Sequence, residues 1–286
     1  MSDQAVAVRP VRPVLAVVKG VPASDGAGVR MTRLLGTQQA QMFDPFLMLD
    51  HFDSADSADY LAGFPDHPHR GFETVTYMLE GRMRHADNKG NSGVIETGGI
   101  QWMRAGSGLV HSEMQEQTEG RMSGFQLWVN LPGRSKMSPP AYQEFAADRI
   151  PVETREGAVS VKVIAGRTAG GAVGPVRNEE VDPVYFDVTA PAGARFEEAL
   201  PAGHNAMVVV FEGAVSVGGR RVDAEAVAFL GEGEHVEIES VGDRDARFLL
   251  IAGAPIGEPV AWAGPFVMNT REEVMQAYED FRAGRF

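Results

Sequence analysis

The stretch His67-Pro68-His69-Arg70-Gly71-Phe72-Glu73-Thr74-Val75-Thr76-Tyr77-Met78-Leu79-Glu80-Gly81 decides how this chain is read. It has a counterpart in His111-Ser112-Glu113. In each short cluster the imidazole or carboxylate groups are spaced i, i+2. On a strand such residues point the same way, so His67 pairs with His69 and His111 with Glu113. If both strands belong to one barrel and both pairs point inward, four nitrogen and oxygen ligands converge on one metal ion. A single histidine is more often a surface or core residue than a ligand, but three of the seven histidines fall in these two pairs. The run FETVTYML (72–79) is β-branched and aromatic, and it stops at Glu80-Gly81. If the phase set by His67 and His69 persists, Glu73, Val75, Tyr77 and Leu79 share the inward face. A bulge at Gly71 would break that phase.

Outward from this stretch the chain reads as short strands and turns. Val14 to Val18 is apolar, and FDPFLMLDHF (43–52) reads as core, with His51 structural. Arg82 to Asp87, Gln101-Trp102-Met103 and Phe125 to Val129 are further strands. Asn88 to Asn91 and Ala105 to Gly108 are turns. Met78, Met103, Met114, Phe125 and Trp128 read as barrel lining or core. A break at Leu131-Pro132-Gly133 and Ser138-Pro139-Pro140 suggests two domains, 1–135 and 136–286. The second half repeats the first: MVVVFEG (207–213) echoes TYMLEG (76–81), but Ala199 and Pro201 stand where His67 and His69 would be. The second domain is therefore expected to be metal-free, with His204 and His235 structural or on the surface. Thr270-Arg271-Glu272-Glu273 is a capping box, and Val274, Tyr278 and Phe281 make an apolar stripe, so a short amphipathic helix is expected near the C-terminus.

Composition narrows the functional classes. The 286 residues are 44% hydrophobic and 23% charged, ordinary for a globular protein, and 33 Gly with 17 Pro favour strands and turns over bundles. No run approaches the length of a membrane helix, and the first ten residues lack a secretion signal. With no cysteine there are no disulfides, thiolate ligands or cysteine nucleophiles. A net charge of −13 argues against direct nucleic-acid binding. The expected setting is cytoplasmic. His111, Ser112 and Glu113 make no hydrolase triad, because Ser112 faces away from its neighbours.

The segments FDPFLMLDHF (43–52), HPHRGFETVTYMLEG (67–81), QWMRAGSGLVHSEM (101–114), NLP…KMSPPAYQ (130–143) and GPFVMNTREE (264–273) together resemble the pirin family, bicupins of the cupin superfamily. The resemblance implies an all-β fold of two cupin-type antiparallel β-barrels with a short C-terminal helix. It also implies Fe(II) in the N-terminal barrel on His67, His69, His111 and Glu113. Many cupins take their carboxylate from HxHx3E, here Glu73, whereas the pirin pattern takes it from HxE, here Glu113. Glu73 is then an alternative ligand or a residue supporting the ligands. The proline that the general cupin motif places near Gly106 is missing.

Three neutral imidazoles and one carboxylate leave two open positions on a six-coordinate divalent ion, the arrangement used by non-haem oxygenases. The resemblance implies quercetin 2,3-dioxygenase-type ring cleavage of a flavonol or related small aromatic with dioxygen; Glu113 is then placed to accept the substrate's hydroxyl proton or to tune the metal. Ligand type alone does not select iron: another divalent transition metal fits the set, and a tetrahedral structural zinc would leave no open position. The alternative function is an iron-containing, redox-sensing regulator that binds a protein partner without turnover.

Overall fold

The computed structural model describes residues 10–286; the stretch MSDQAVAVR, on which the expectation about a secretion signal rests, lies outside them. The regular structure of the described chain is mostly antiparallel β-strand, with one α-helix, Arg271–Arg282. Contacts group it into two compact units. One comprises Gly20–Ile150, Pro175–Asp182 and Ala254–Phe286; the other comprises residues 10–19, Pro151–Gly174 and Pro183–Gly253. The break at 131–140 falls inside the first of these, where Ala141–Phe145 pairs with Ile100–Arg104.

The first unit has a seven-stranded sheet in the order Ala141–Phe145, Ile100–Arg104, Phe72–Glu80, Met122–Asn130, Phe46–Ser54, Val29–Leu35 and Val21–Asp25. A four-stranded sheet follows the order Phe64–His69, Leu109–Gln115, Arg82–Asp87 and Ser92–Glu96. Val29, Met31, Phe52, Met78 and Met122 of the larger sheet pack on Met83 and Ile95 of the smaller. Inward residues of both sheets thus leave water together, each contributing about 1.5–3 kcal/mol.

The two halves of the key stretch lie in different sheets, so the strand phase does not run through. The chain turns at Gly71, whose φ is +88°. A Cβ at this position would stand 2.0 Å from the Val267 carbonyl oxygen, so both the backbone conformation and the space require glycine. Beyond the turn the inward residues of the larger sheet include Thr76 and Met78, while Glu73, Val75 and Tyr77 take the opposite face. Of the two readings of this stretch, the phase does not persist from His67 to Leu79; it breaks at Gly71. The turn, which the sequence marks only by one glycine, resets the alternation.

The helix begins at the Thr270 cap: Thr270 accepts from Glu273 N at 3.2 Å, and the Glu273 carboxylate accepts from Thr270 N at 3.0 Å. Its buried face, Val274 and Ala277, packs with Tyr278 against Phe266 and Met268.

The second unit repeats the seven-plus-four arrangement. Val14–Lys19 forms an edge of its larger sheet, pairing with Ala226–Leu230. Its interior is a continuous apolar core including Phe186, Phe196, Val208, Val210, Ile238, Phe248 and Leu250.

Candidate metal centre

Strands Phe64–His69 and Leu109–Gln115 are hydrogen-bonded neighbours, with His111 opposite His67 and Leu109 opposite His69. This register gathers three imidazoles, set edge-on or tilted to one another. Ring centroids are 4.7 Å apart for His67 and His69, 4.4 Å for His67 and His111, and 5.1 Å for His69 and His111. One potential ligand nitrogen from each lies within 4.8 Å of the others. Among the described residues these three form the group spaced to hold a metal ion, and Glu113 is not part of it.

The ring nitrogens fit the role of ligands. His67 Nδ1 donates to the Pro65 carbonyl at 2.8 Å, which fixes the proton on Nδ1 and leaves Nε2 as an acceptor. His111 is 1% exposed, and neither of its ring nitrogens has a hydrogen-bond partner; His69 Nδ1 is also buried and unpartnered. Buried polar atoms rarely go unsatisfied in a native protein. A divalent ion on the triad would satisfy such lone pairs. Burial, followed by the neighbouring imidazoles, pulls the His69 and His111 pKa values well below the ordinary range, so both rings are neutral and their lone pairs available.

Glu113 shares the inward face with His111, but the ladder to Phe64–His69 slips between them: Glu113 pairs with Phe64. Its carboxylate is anchored in the larger sheet. Oε1 lies 2.8 Å from Thr76 Oγ1, and Oε2 accepts from Gln126 Nε2 at 3.1 Å. Thr76 Oγ1 is also 2.6 Å from Gln126 Oε1, and its single proton serves one oxygen at a time. Glu73 is 1% exposed and engaged elsewhere. It accepts from Trp102 Nε1 at 2.8 Å, Arg104 Nε at 2.8 Å and Asn178 Nδ2 at 2.5 Å. Burial pushes its carboxyl pKa up, while Arg104 and Trp102 pull against that rise.

The register assembles a row of polar side chains that sequence reading did not detect. Across five neighbouring strand pairs, Arg33 faces Asp50, Asp50 faces Gln126, Gln126 faces Thr76, Thr76 faces Gln101, and Gln101 faces Glu144. Arg33 grips Asp50 with two bonds of 2.8 Å, and His85 Nε2 meets Glu144 at 2.8 Å. Each member stands alone in its own strand. The one signal in the sequence is a polar residue at an inward position of an otherwise apolar strand.

His67, His69 and Glu113 line a cavity of about 700 Å³. Its apolar wall includes Met48, Phe52, Phe64, Trp128 and Trp262; Arg33, Asp50 and Gln126 form a polar edge. Trp128 meets His69 edge-on at 5.2 Å and lies 5.8 Å from Trp262. The volume is that of a site for a small organic molecule.

Residues 28–129 match the model of the Pirin family and residues 185–286 that of the Pirin C-terminal cupin domain. The chain is 66% identical to a pirin-like protein of Caulobacter vibrioides, over 97% of this chain and all of that one. A crystal structure of quercetin 2,3-dioxygenase from Acinetobacter baumannii superposes with TM-score 0.88 and 36% identity, covering 96% of this chain and 98% of that one. A bacterial pirin from Escherichia coli, solved in complex with nickel(II), shares the fold with TM-score 0.65 and 19% identity, over 84% of this chain and 98% of that one. Two β-rich units of the same sheet arrangement agree with matches to an N-terminal and a C-terminal domain model, and the chain belongs to the pirin family.

Proposed function

We propose that the chain is an Fe(II)-dependent dioxygenase of the quercetin 2,3-dioxygenase type, acting on a flavonol or related enolisable aromatic. The observation that carries this reading is the triad of neutral imidazoles, with unsatisfied ring nitrogens, beside an aromatic-walled cavity of about 700 Å³. Likeness to the Acinetobacter quercetin 2,3-dioxygenase supports the choice of substrate class. His67, His69 and His111 hold the metal, with Glu113 as the carboxylate ligand. Bound Fe(II) supplies open positions and redox chemistry for a reaction that inserts both atoms of dioxygen and releases carbon monoxide.

The chain's own residues bind and orient. Trp128, Trp262, Phe52 and Phe64 offer flat apolar surface to a planar ring system and exclude water. Glu113 accepts the proton of the flavonol hydroxyl. Thr76 and Gln126 hold that carboxylate in place, so it does not have to be ordered when substrate enters. Glu73, already paired with Arg104, Trp102 and Asn178, supports the sheet behind the site.

The test is anaerobic loading with Fe(II), followed by quercetin and oxygen, reading loss of flavonol absorbance together with carbon monoxide release. Turnover is expected with Fe(II) but not zinc, and His69→Ala should lower it by more than the roughly 10- to 100-fold that losing a group supporting a ligand costs. Tight binding of one iron per chain without turnover would reject the dioxygenase reading in favour of an iron-containing regulator.

A further inference from the structure

Lys136 is 1% exposed, and among the described residues its ammonium group makes no hydrogen bond to a carboxylate, although Glu258 and Glu273 act on it electrostatically from farther off. Its three N–H donors instead meet three oxygens: Gly71 O at 2.8 Å, Asn130 Oδ1 at 2.6 Å and Val267 O at 2.9 Å. Donor and acceptor numbers match, which is how a buried cation is tolerated. The partners are informative. Gly71 lies two residues beyond His69, and its backbone comes so close to Val267 O that no Cβ fits between them. Val267 lies two residues beyond Pro265, which lines the cavity. The same two segments are bridged by Val267 N to Arg70 O at 3.1 Å and Arg70 N to Pro265 O at 3.3 Å.

We propose that Lys136 is a positioning residue for this site, its ammonium drawing the carbonyls of Gly71 and Val267 together and so fixing His69 and the 264–267 lip of the cavity in one arrangement. Without the cation, two carbonyl dipoles and an amide oxygen converge in a dry space and repel one another. The turn after His69 and the lip then separate. The link to His69 rests on the metal-centre reading; the tether between the two segments does not.

The experiment compares the full-length wild type with Lys136→Met, which keeps the apolar stem and removes the charge. Hydrogen exchange should accelerate in peptides covering 67–71 and 264–268 and stay unchanged in Asn205–Glu212. Affinity for Co(II), a spectroscopic probe, should fall about tenfold or more. Asn130→Ala removes a single oxygen of the cage and should move both readouts the same way by less, which provides a test if Lys136→Met does not fold. In Lys136→Ala, propylammonium should restore exchange protection and 1-propanol should not, a difference that lost packing alone would not produce. Unchanged exchange and Co(II) affinity in a folded variant would overturn the proposal. Faster exchange with unchanged affinity would overturn the positioning of His69. If the wild type bound no Co(II), the metal-centre reading would fall while exchange still decided the tether.

Discussion

At the scale of single residues, what separates the candidate centre from a chance cluster of histidines is the hydrogen bonding around it. His67 has its tautomer set by a backbone carbonyl, neither ring nitrogen of His111 has a hydrogen-bond partner, and Glu113 is held by Thr76 and Gln126. On the proposed dioxygenase reading, the Thr76 hydroxyl acts through the Glu113 carboxylate that it touches. Thr76→Val keeps the shape and removes the hydroxyl, so Fe(II)-dependent flavonol turnover is expected to fall about 10- to 100-fold. Trp128 should behave differently. In Trp128→Ala the flat wall beside His69 is lost, and the KM for a flavonol should rise about tenfold while bound metal per chain stays the same. Steady-state kinetics with parallel metal analysis check both outcomes.

At the scale of elements, strand alternation and register place the groups. His67/His69 and His111/Glu113 were legible as same-face pairs because a strand's period of two is local. Gly71 was legible as a point where that phase could break, but the slip between His111 and Glu113 was not, since it depends on which strand becomes the neighbour. The helix was legible from its capping box, but its tie to the strand bearing His69 was not. Arg70, next to His69, donates to Asp280 on that helix at 2.6 Å. Hydrogen bonds from Arg70 and Arg285 hold the Asp280 carboxyl well below the usual carboxylate range. A folded-state pKa below the unfolded value of roughly 3.9 gives stability that is present above that pH and lost as pH falls toward the depressed value. Urea unfolding from about pH 5 to about pH 3 should therefore show a decline that Asp280→Asn reduces. The effect should be about 0.5–1 kcal/mol, because solvent screens the partly open helix surface.

At the scale of the whole molecule, two units of the same sheet arrangement have opposite interiors. The unit built from Gly20–Ile150, Pro175–Asp182 and Ala254–Phe286 carries a polar row and an imidazole cluster between its sheets. The other fills the corresponding space with valine, alanine, leucine and phenylalanine. Close packing of this kind resists truncation. Phe248→Ala should destabilise that unit by about 3–5 kcal/mol, seen as a lower urea midpoint or an added unfolding transition. In the sequence, Ala199 and Pro201 stand at the offset of 132 residues from His67 and His69.

By itself the sequence determined the β-rich class, the duplicated organisation, the capped helix and the ligand candidates. All of these follow from local periodicity, capping chemistry and short motifs. Only the tertiary structure decided that Glu73 turns to Trp102, Arg104 and Asn178, that Glu113 is gripped by Thr76 and Gln126, and that Lys136 sits caged among three oxygens. The same holds for the composition of the two compact units, each of which takes in segments distant along the chain. The physical reason is shared: a side chain's partners are set by strand register and crossover, which bring together residues tens to hundreds of positions apart, and no local pattern encodes such a meeting.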